Sequence, residues 1–491
     1  MKKILAMLLA LLTLAPSLIA CSGGDTGTSD TSASDTNTES TAAETTAEPT
    51  DEELLAKYVS ELPDKNFDGY EFTILTRSES AHPSWFTRDV YSEAEDGDPI
   101  NDAVFKRNRL LEENLGVIVK DNPQDSSTTT AKNLILSGED SFDVVTDGVY
   151  HLASTLANAG YLIDYNSLDS IELKNEWWDQ RMNSEMTVLN KLYFVTGDIS
   201  IMDNEGTWQV LFNKELQEQY SLSDYYELRD NGSWTLDVML KDATAVSKDL
   251  DGDGAMKGEV DQFGLATEDW NTYALWAGSG EMVTRKNDED LPEFTIYNER
   301  SASVVEKALD INGNKEITMD HNLVANLYPT GRMHYQIVGM RVLPVYRQSE
   351  VDFGILPLPK YNEQQDRYYS VSSNYNLTAY GIPVTASDPE RTAFILEAMA
   401  GTSFYTLTPA YYEISLMGKY IRDDESAESI ELILANRSYD LAIIYNWGNP
   451  TNLFRDMTNQ GTRDFSSRCA ALETNMNAAI DQFVKTIEGL K

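Results

Sequence analysis

Between residues 71 and 145, short apolar runs alternate with stretches in which apolar side chains recur every three or four positions. The first pattern predicts strands and the second predicts helices. The predicted strands cover residues 71–75, 117–119 and 142–145, and the predicted helices cover residues 100–115 and 131–137. This order is typical of a parallel α/β sheet. Ligands of such sheets lie beyond the carboxyl ends of the strands, so residues 76–80 and 146–150 are candidate contacts.

The first twenty residues have the pattern of a secretory signal peptide. Lys2 and Lys3 precede an apolar run over residues 4–15, and Ala20 is a small residue before Cys21. The run is shorter than the roughly 20 residues that a membrane span needs. Residues 18–21, Leu-Ile-Ala-Cys, resemble the lipobox of bacterial lipoproteins, which implies removal of residues 1–20 and a diacylglycerol on Cys21. An ordinary signal peptide that contains a cysteine is the alternative.

A long polar segment follows Cys21. Residues 22–50 are almost entirely Ser, Thr, Asp, Glu, Ala and Gly, without an aromatic residue, Lys or Arg. Such a segment cannot bury enough apolar surface to offset the entropy that ordering costs. Residues 21–57 are therefore predicted to be the lipidated cysteine and a disordered acidic linker.

Charge and cysteine content narrow the class of protein. The 491 residues carry a formal net charge of −42, which argues against nucleic acid as a partner, because phosphate binding needs a basic surface. Cys21 and Cys469 are the two cysteines, so acylation of Cys21 leaves no disulfide. Cys469 lies in an apolar helical stripe and is expected in the core. The four histidines are scattered and show no spacing typical of a zinc site.

Four later segments resemble a known family. They are residues 191–198 (Lys-Leu-Tyr-Phe-Val-Thr-Gly-Asp), 211–216 (Leu-Phe-Asn-Lys-Glu-Leu), 328–333 (Tyr-Pro-Thr-Gly-Arg-Met) and 353–360 (Phe-Gly-Ile-Leu-Pro-Leu-Pro-Lys). In their order and spacing, and together with the lipobox, they are similar to family 1 extracellular solute-binding proteins of bacterial ABC importers. The resemblance spans residues 68–490.

The resemblance implies an α/β fold of two lobes, the class II type of periplasmic-binding-protein fold, with a ligand cleft between lobes that a hinge joins. It places the N-terminal lobe at residues 58–210 plus 350–400, and the C-terminal lobe at residues 211–349 plus 401–491. A ligand would favour hinge closure because both lobes contact it only in the closed form.

Aromatic residues between the predicted elements are the candidate ligand contacts. Flat rings stack on the C–H faces of sugars, while carboxylates and amides hydrogen-bond the hydroxyl groups. The candidate rings are Trp177, Trp178, Trp208, Trp276 and Trp447, and the candidate polar partners are Asp147, Asp198, Asn204 and Asn446. Family members often place a stacking tryptophan at a position similar to Trp276. The alternative for each tryptophan is a core position.

An acidic loop between residues 249 and 261 resembles a calcium loop. Asp249, Asp251 and Asp253 occupy positions 1, 3 and 5, Gly254 occupies position 6, and the carbonyl of Ala255 would serve at position 7. Position 12 departs from the pattern because it is Val260. The flanking residues Glu259 and Asp261 are the candidates for the missing carboxylate. The alternatives are a structural calcium ion and a polar turn without an ion; no other cofactor is required.

Three functions remain open at this point. The first is a lipid-anchored receptor at the extracytoplasmic face of the cell membrane, a monomer that delivers an oligosaccharide to the permease subunits of an ABC importer. The second is a secreted carbohydrate-active enzyme, whose paired carboxylates have no diagnostic spacing. The third is a receptor for peptides or another non-sugar solute. The two-lobe pattern favours a receptor over an enzyme, and no Ser/His/Asp or Cys/His constellation is evident in the sequence.

Overall fold

The computed structural model describes residues 49–258, 260–320 and 330–489. Its strands are β1 (Tyr70–Arg77), β2 (Val117–Gln124), β3 (Val144–Gly148), β4 (Trp208–Asn213), β5 (Phe263–Thr267), β6 (Thr284–Lys286), β7 (Pro292–Phe294), β8 (Thr318–Asp320), β9 (Met333–Gly339), β10 (Phe353–Leu356) and β11 (Thr378–Gly381). Its longer helices are Asp51–Glu61, Pro99–Leu115, Ser127–Ser137, Leu236–Val246, Asn271–Gly278, Glu299–Asn312, Pro389–Phe404, Asp424–Ala435, Thr451–Gln460 and Phe465–Gly489.

The first sheet has the strand order β11-β3-β1-β2 among the described residues. β1 is parallel to β2 and β3, whereas β11 is antiparallel to β3. Phe72 and Ile74 of β1 and Val144 of β3 are fully buried, and the helices Pro99–Leu115 and Ser127–Ser137 pack on the sheet. The predicted strand–helix alternation is confirmed, and β3 ends at Gly148.

The second sheet has the strand order β10-β4-β9-β5-β8 among the described residues. β5 is parallel to β8 and β9, whereas β4 is antiparallel to β9 and β10. The helix Leu236–Val246 packs on β5, and the helix Asp424–Ala435 packs on β10. We call the first sheet with its helices the first lobe and the second sheet with its helices the second lobe.

Three stretches of chain run side by side between the sheets. Residues 206–208 pair with residues 371–373 through backbone hydrogen bonds of 2.9 Å. Residues 436–438 pair with Ser370 through backbone hydrogen bonds of 2.9 and 3.0 Å. We call these three stretches the hinge, because the chain passes through them between elements of the two sheets.

The lobe boundaries stay a prediction, but strand pairing shifts one part of them. β10 pairs with β4 along its whole length, so Phe353–Leu356 lies in the second sheet. The sequence instead placed residues 350–400 with the first lobe. In the structure, the chain returns to the first sheet at β11, after the hinge stretch at residues 371–373.

A helix begins at Asp51, within the segment assigned to the linker. Asp51–Glu61 is a helix in which Leu55 is only 6% exposed, and the Tyr58 ring meets Trp177 edge-on at 5.4 Å. Residues 51–57 therefore belong to an ordered helix, which Leu55 anchors by its burial. The predicted signal peptide and Cys21 lie outside the described residues. Among the described helices, none combines the length and the apolar character that a bilayer crossing requires.

The last helix confirms a sequence prediction. Cys469 lies in the helix Phe465–Gly489 and is 2% exposed. Met476, Phe483 and Ile487 are buried on the same helix at helical spacing. Burial raises the pKa of the Cys469 thiol to about 12, so the group is a core side chain rather than a reactive thiol.

Candidate functional site

The carboxyl ends of β3 and β5 bring aromatic rings from both lobes to one place. Tyr150 follows β3, Trp270 follows β5, and Tyr375 lies two residues beyond the hinge. The rings of Tyr150 and Tyr375 are stacked with centroids 4.5 Å apart. Trp270 and His151 each meet Tyr375 edge-on, at 6.0 and 5.6 Å. These four half-buried residues are called the aromatic cluster.

Polar groups lie around the aromatic cluster. The Asn446 side-chain amide donates a hydrogen bond of 2.9 Å to the Tyr150 hydroxyl. The Arg455 guanidinium lies over the Trp270 ring at 4.2 Å, and Asp269 pairs with it at 3.2 Å. A set of rings with amide, guanidinium and carboxylate neighbours can bind a solute that has both apolar faces and hydroxyl groups.

Burial favours the uncharged forms of His151 and Tyr375 in the aromatic cluster. Burial lowers the pKa of His151 below its ordinary value, and the neighbouring Asp147 only partly opposes that effect. Burial, with a further contribution from Tyr150, raises the pKa of Tyr375 to about 12. The cluster therefore offers neutral hydrogen-bonding groups beside its ring faces.

A second polar group, called the hinge cluster, surrounds Arg437. The Arg437 guanidinium donates to Asp179 at 2.9 Å, to Asp203 at 3.0 Å and to the Asn204 amide oxygen at 3.1 Å. The Tyr439 hydroxyl donates to the same Asp179 carboxylate at 2.7 Å. Because Arg437 belongs to the third hinge stretch and Asp179 precedes the helix Gln180–Met186, the cluster ties the hinge to chain outside it.

Carboxyl groups near the hinge cluster have raised pKa values. Burial raises the pKa of Asp198 to about 7, although the Thr408 hydroxyl donates to it at 2.7 Å. Burial likewise raises the pKa of Asp203 to about 6, against the opposing charge of Arg437. Asp198 and Asn204 were predicted as ligand contacts; in the structure Asp198 accepts from Thr408, and Asn204 accepts from Arg437 of the hinge.

Three of the predicted tryptophans are core residues. Trp178, Trp276 and Trp447 are at most 2% exposed. Each indole N–H donates to an acceptor within the protein at 2.8 to 3.2 Å. These rings have no free face for a solute, so the expectation that they stack on one is corrected here. The sequence could not separate them from cleft residues, because an apolar ring serves equally well in a core.

The two remaining predicted tryptophans are half-buried. Trp177 donates to Glu397 at 3.1 Å and packs against Tyr58 of the first described helix. Trp208 begins β4 beside the hinge and meets Tyr273 edge-on at 6.4 Å. A ligand contact by either ring stays a prediction.

The other predicted polar contacts have different surroundings. Asp147 is 3% exposed, accepts a hydrogen bond of 2.6 Å from Ser127 and lies 3.8 Å from Arg77, so it ties β3 to its neighbours. Asn446 is half-buried and contacts the aromatic cluster through Tyr150. Of the predicted polar residues, Asn446 is therefore the one that the structure joins directly to this cluster.

Sequence reasoning missed Trp270, Tyr375 and Arg455. A signal existed for Trp270: it follows the strand at residues 263–267, and the carboxyl-end rule that selected residues 146–150 also applies there. Tyr375 lies between β10 and β11, where no hydrophobic periodicity distinguishes one loop residue from another.

The acidic loop brings its first three carboxylates together. Ligand atoms of Asp249, Asp251 and Asp253 lie within 4.8 Å of one another, and the Lys257 ammonium contacts the last two. Asp261 is fully buried, and its oxygens accept backbone N–H groups of Leu250 and Lys257 at 2.8 and 2.6 Å.

Three of the predicted calcium ligands therefore lie close enough together to share an ion. Asp249, Asp251 and Asp253 match the donor set that calcium prefers. Asp261 already closes the loop through its backbone contacts, and Glu259 lies outside the described residues. Calcium binding, including a carbonyl ligand from Ala255, stays a prediction.

Solved solute-binding proteins have a similar fold. An ABC substrate-binding protein from Listeria monocytogenes, in complex with cycloalternan, has a TM-score of 0.52 and 12% identity over 86% of this chain and 100% of that chain. RafE from Streptococcus pneumoniae has a TM-score of 0.54 and 13% identity over 84% of this chain and 98% of that chain. A cyclo/maltodextrin-binding protein complexed with maltotetraose has a TM-score of 0.52 and 14% identity, covering 86% and 98%.

These similarities establish the fold. The protein has the two-lobed α/β fold of ABC solute-binding proteins, as the sequence predicts. The sequence itself matches no protein-family model and no curated protein.

Proposed function

We propose that this protein is a solute receptor that captures an oligosaccharide between its two lobes. The observation that supports this most is the aromatic cluster, in which Tyr150 from the first lobe and Trp270 from the second both contact Tyr375. A solute held by both lobes stabilises the closed arrangement, because it loses contacts when the lobes part.

An oligosaccharide suits the chemistry of this site. Sugar rings offer C–H faces to aromatic side chains and hydroxyl groups to amides and charged groups. Tyr150 and Asn446 supply such a combination at one point, and Trp270 with Arg455 supplies another. Two proteins of similar fold were solved with cycloalternan and maltotetraose, which favours the same solute class here.

Binding rather than catalysis is proposed for the cleft. Two of the carboxyl groups with raised pKa, Asp198 and Asp203, lie in or beside the hinge cluster, and Asp203 pairs with Arg437. Two of the proteins of similar fold named above are described as binding proteins.

The position of the receptor follows from its N-terminal sequence. We propose that Cys21 carries a diacylglycerol and that residues 22–50 tether the receptor near the permease subunits of an ABC importer. A tethered receptor stays at high effective concentration near its membrane partner. We expect Cys21→Ser to move the protein from the membrane fraction to the soluble fraction of cells; retention in the membrane fraction would contradict the anchor.

A binding screen tests the receptor proposal. The chain from residue 22 onward is titrated calorimetrically with maltotetraose, cycloalternan, a basic peptide and spermidine, and the sugars are recovered and analysed by chromatography. We expect at least one oligosaccharide to bind and to be recovered intact. Shorter sugars in the recovered material would indicate an enzyme, and binding of the peptide or of spermidine alone would indicate a receptor for a non-sugar solute.

A further inference from the structure

Glu205 connects the two lobes through its carboxylate. It is 2% exposed and lies at the end of the helix Met202–Glu205, immediately before the first hinge stretch. One of its oxygens pairs with Arg88, from the first-lobe segment that follows β1. The other oxygen pairs at 2.9 Å with Arg341, which follows β9 in the second lobe.

Trp85 adds a second contact between the same segments. The Arg341 guanidinium lies over the Trp85 ring at 5.1 Å, and Trp85 precedes Arg88 by three residues. A Cβ added at Gly339, the last residue of β9, would lie 3.8 Å from the Trp85 ring. The first-lobe segment therefore rests on the end of β9 through both an ion pair and a ring. We call Trp85, Arg88, Glu205 and Arg341 the interlobe bridge.

We infer that the interlobe bridge holds the lobes together before any solute binds. Arg88 and Arg341 come from different lobes and share one buried carboxylate, so an opening motion that parts these two segments would withdraw at least one of them from Glu205. Opening would also separate Trp85 from Arg341. Because the Glu205 carboxylate is buried, salt screens its ion pairs much less than it screens an exposed pair, so they persist at ordinary ionic strength. The solute-free chain therefore favours the closed arrangement.

This bias has a consequence for the affinity of the receptor. When only the closed form binds fully, the apparent dissociation constant equals the intrinsic value divided by the closed fraction. The interlobe bridge raises that fraction and so tightens binding without touching the solute. This consequence rests on the proposed function, whereas the closed bias of the solute-free chain does not.

Distances between two spin labels, measured by electron paramagnetic resonance, test whether the solute-free chain favours the closed arrangement. Spin labels are attached at Leu136→Cys in the first lobe and Lys241→Cys in the second, both of which are exposed positions. Cys469 is 2% exposed and is expected to stay unlabelled. We expect one narrow distance population in the chain from residue 22 onward. Arg341→Gln, which leaves the Arg88 pair intact, is expected to add a longer population.

Three further variants make the test decisive. Trp85→Ala is expected to add the same longer population. The double variant with Trp85→Ala and Arg341→Gln should resemble each single variant, because each change disrupts the same interlobe bridge. Arg109→Gln is the matched control, since Arg109 pairs with Glu112 and Glu113 on an exposed helix face of the first lobe. An unchanged distribution in both bridge variants, or a long population already present in the unmodified chain, would overturn the inference. Neither outcome bears on whether the protein binds sugar.

Discussion

At the scale of single residues, Trp270 is the side chain that we expect to matter most for solute binding. Trp270→Ala removes a ring from the aromatic cluster and releases Arg455 from its place over that ring. A ring contact of this kind contributes about 1 kcal/mol, so we expect roughly fivefold to tenfold weaker binding. Titration calorimetry with the oligosaccharide that binds the unmodified chain measures the change.

Trp177→Ala is the comparison for that experiment. Trp177 packs against Tyr58 and donates to Glu397, so its loss should lower the melting temperature and leave solute affinity unchanged. The reverse pattern, with binding lost in Trp177→Ala and kept in Trp270→Ala, would move the binding site to the rings that the sequence predicted.

Asp198, near the hinge cluster, makes the free energy of unfolding depend on pH. Its pKa is raised to about 7 in the folded chain, against an ordinary value of about 4 in the unfolded chain. Between these values the folded chain binds more protons, so this group's contribution to the free energy of unfolding falls as pH rises from about 4 to 7. Asp198→Asn stays neutral, and we expect it to be more stable than the unmodified chain at pH 8, by roughly 1–3 kcal/mol.

Urea unfolding at pH 5 and pH 8 measures this effect. Asp288→Asn is the control, because it makes the same chemical change at an exposed position. Equal pH dependence in Asp198→Asn and in the unmodified chain would rule out the assignment of the titration to Asp198.

The residue scale is also where sequence prediction was weakest. The sequence around a tryptophan does not show whether the ring lies in the core, as Trp276 does, or in the aromatic cluster, as Trp270 does. The distinction depends on which strands become neighbours. The strand at residues 263–267 marks Trp270 as a residue beyond a carboxyl end, but it does not record which strands become neighbours.

At the scale of elements, the helix Asp51–Glu61 is part of the folded unit. Leu55 is buried, and Tyr58 contacts both Trp177 and Tyr405. We expect a chain that begins at residue 62 to lose about 2–4 kcal/mol of unfolding free energy in urea, mainly through the lost burial of these side chains. A chain that begins at residue 50 should match one that begins at residue 22. Equal stability of all three chains would place the helix outside the folded unit.

The acidic loop is the second element for which we make a prediction, namely that it binds calcium. If Asp249, Asp251 and Asp253 hold calcium, adding calcium after EDTA treatment should raise the melting temperature, because an ion that binds only the folded chain stabilises it. Asp251→Asn should reduce that rise, whereas Asp288→Asn should not. The absence of any rise in the unmodified chain would count against the metal and leave a polar turn held by Lys257 and Asp261.

Elements were predicted better than sites because their signals are local. The strand β1 and the helix Pro99–Leu115 each show their own hydrophobic period, and Asp98 and Gly116 cap that helix. Strand partners are not local. The assignment of residues 353–356 to the first lobe failed for this reason, since an apolar run does not reveal whether it pairs with β3 or with β4.

At the scale of the whole molecule, β11 joins the first sheet only after the chain has built the second. Its pairing with β3 joins residues 378–381 to residues 145–148. A chain that emerges from its N-terminus, from a ribosome or through a secretion channel, therefore leaves one edge of β3 unpaired until residue 381 has emerged. Open strand edges pair with other chains. We therefore expect the yield of native protein during synthesis to depend on how well β3 is shielded during that interval, and less on the stability of the finished fold.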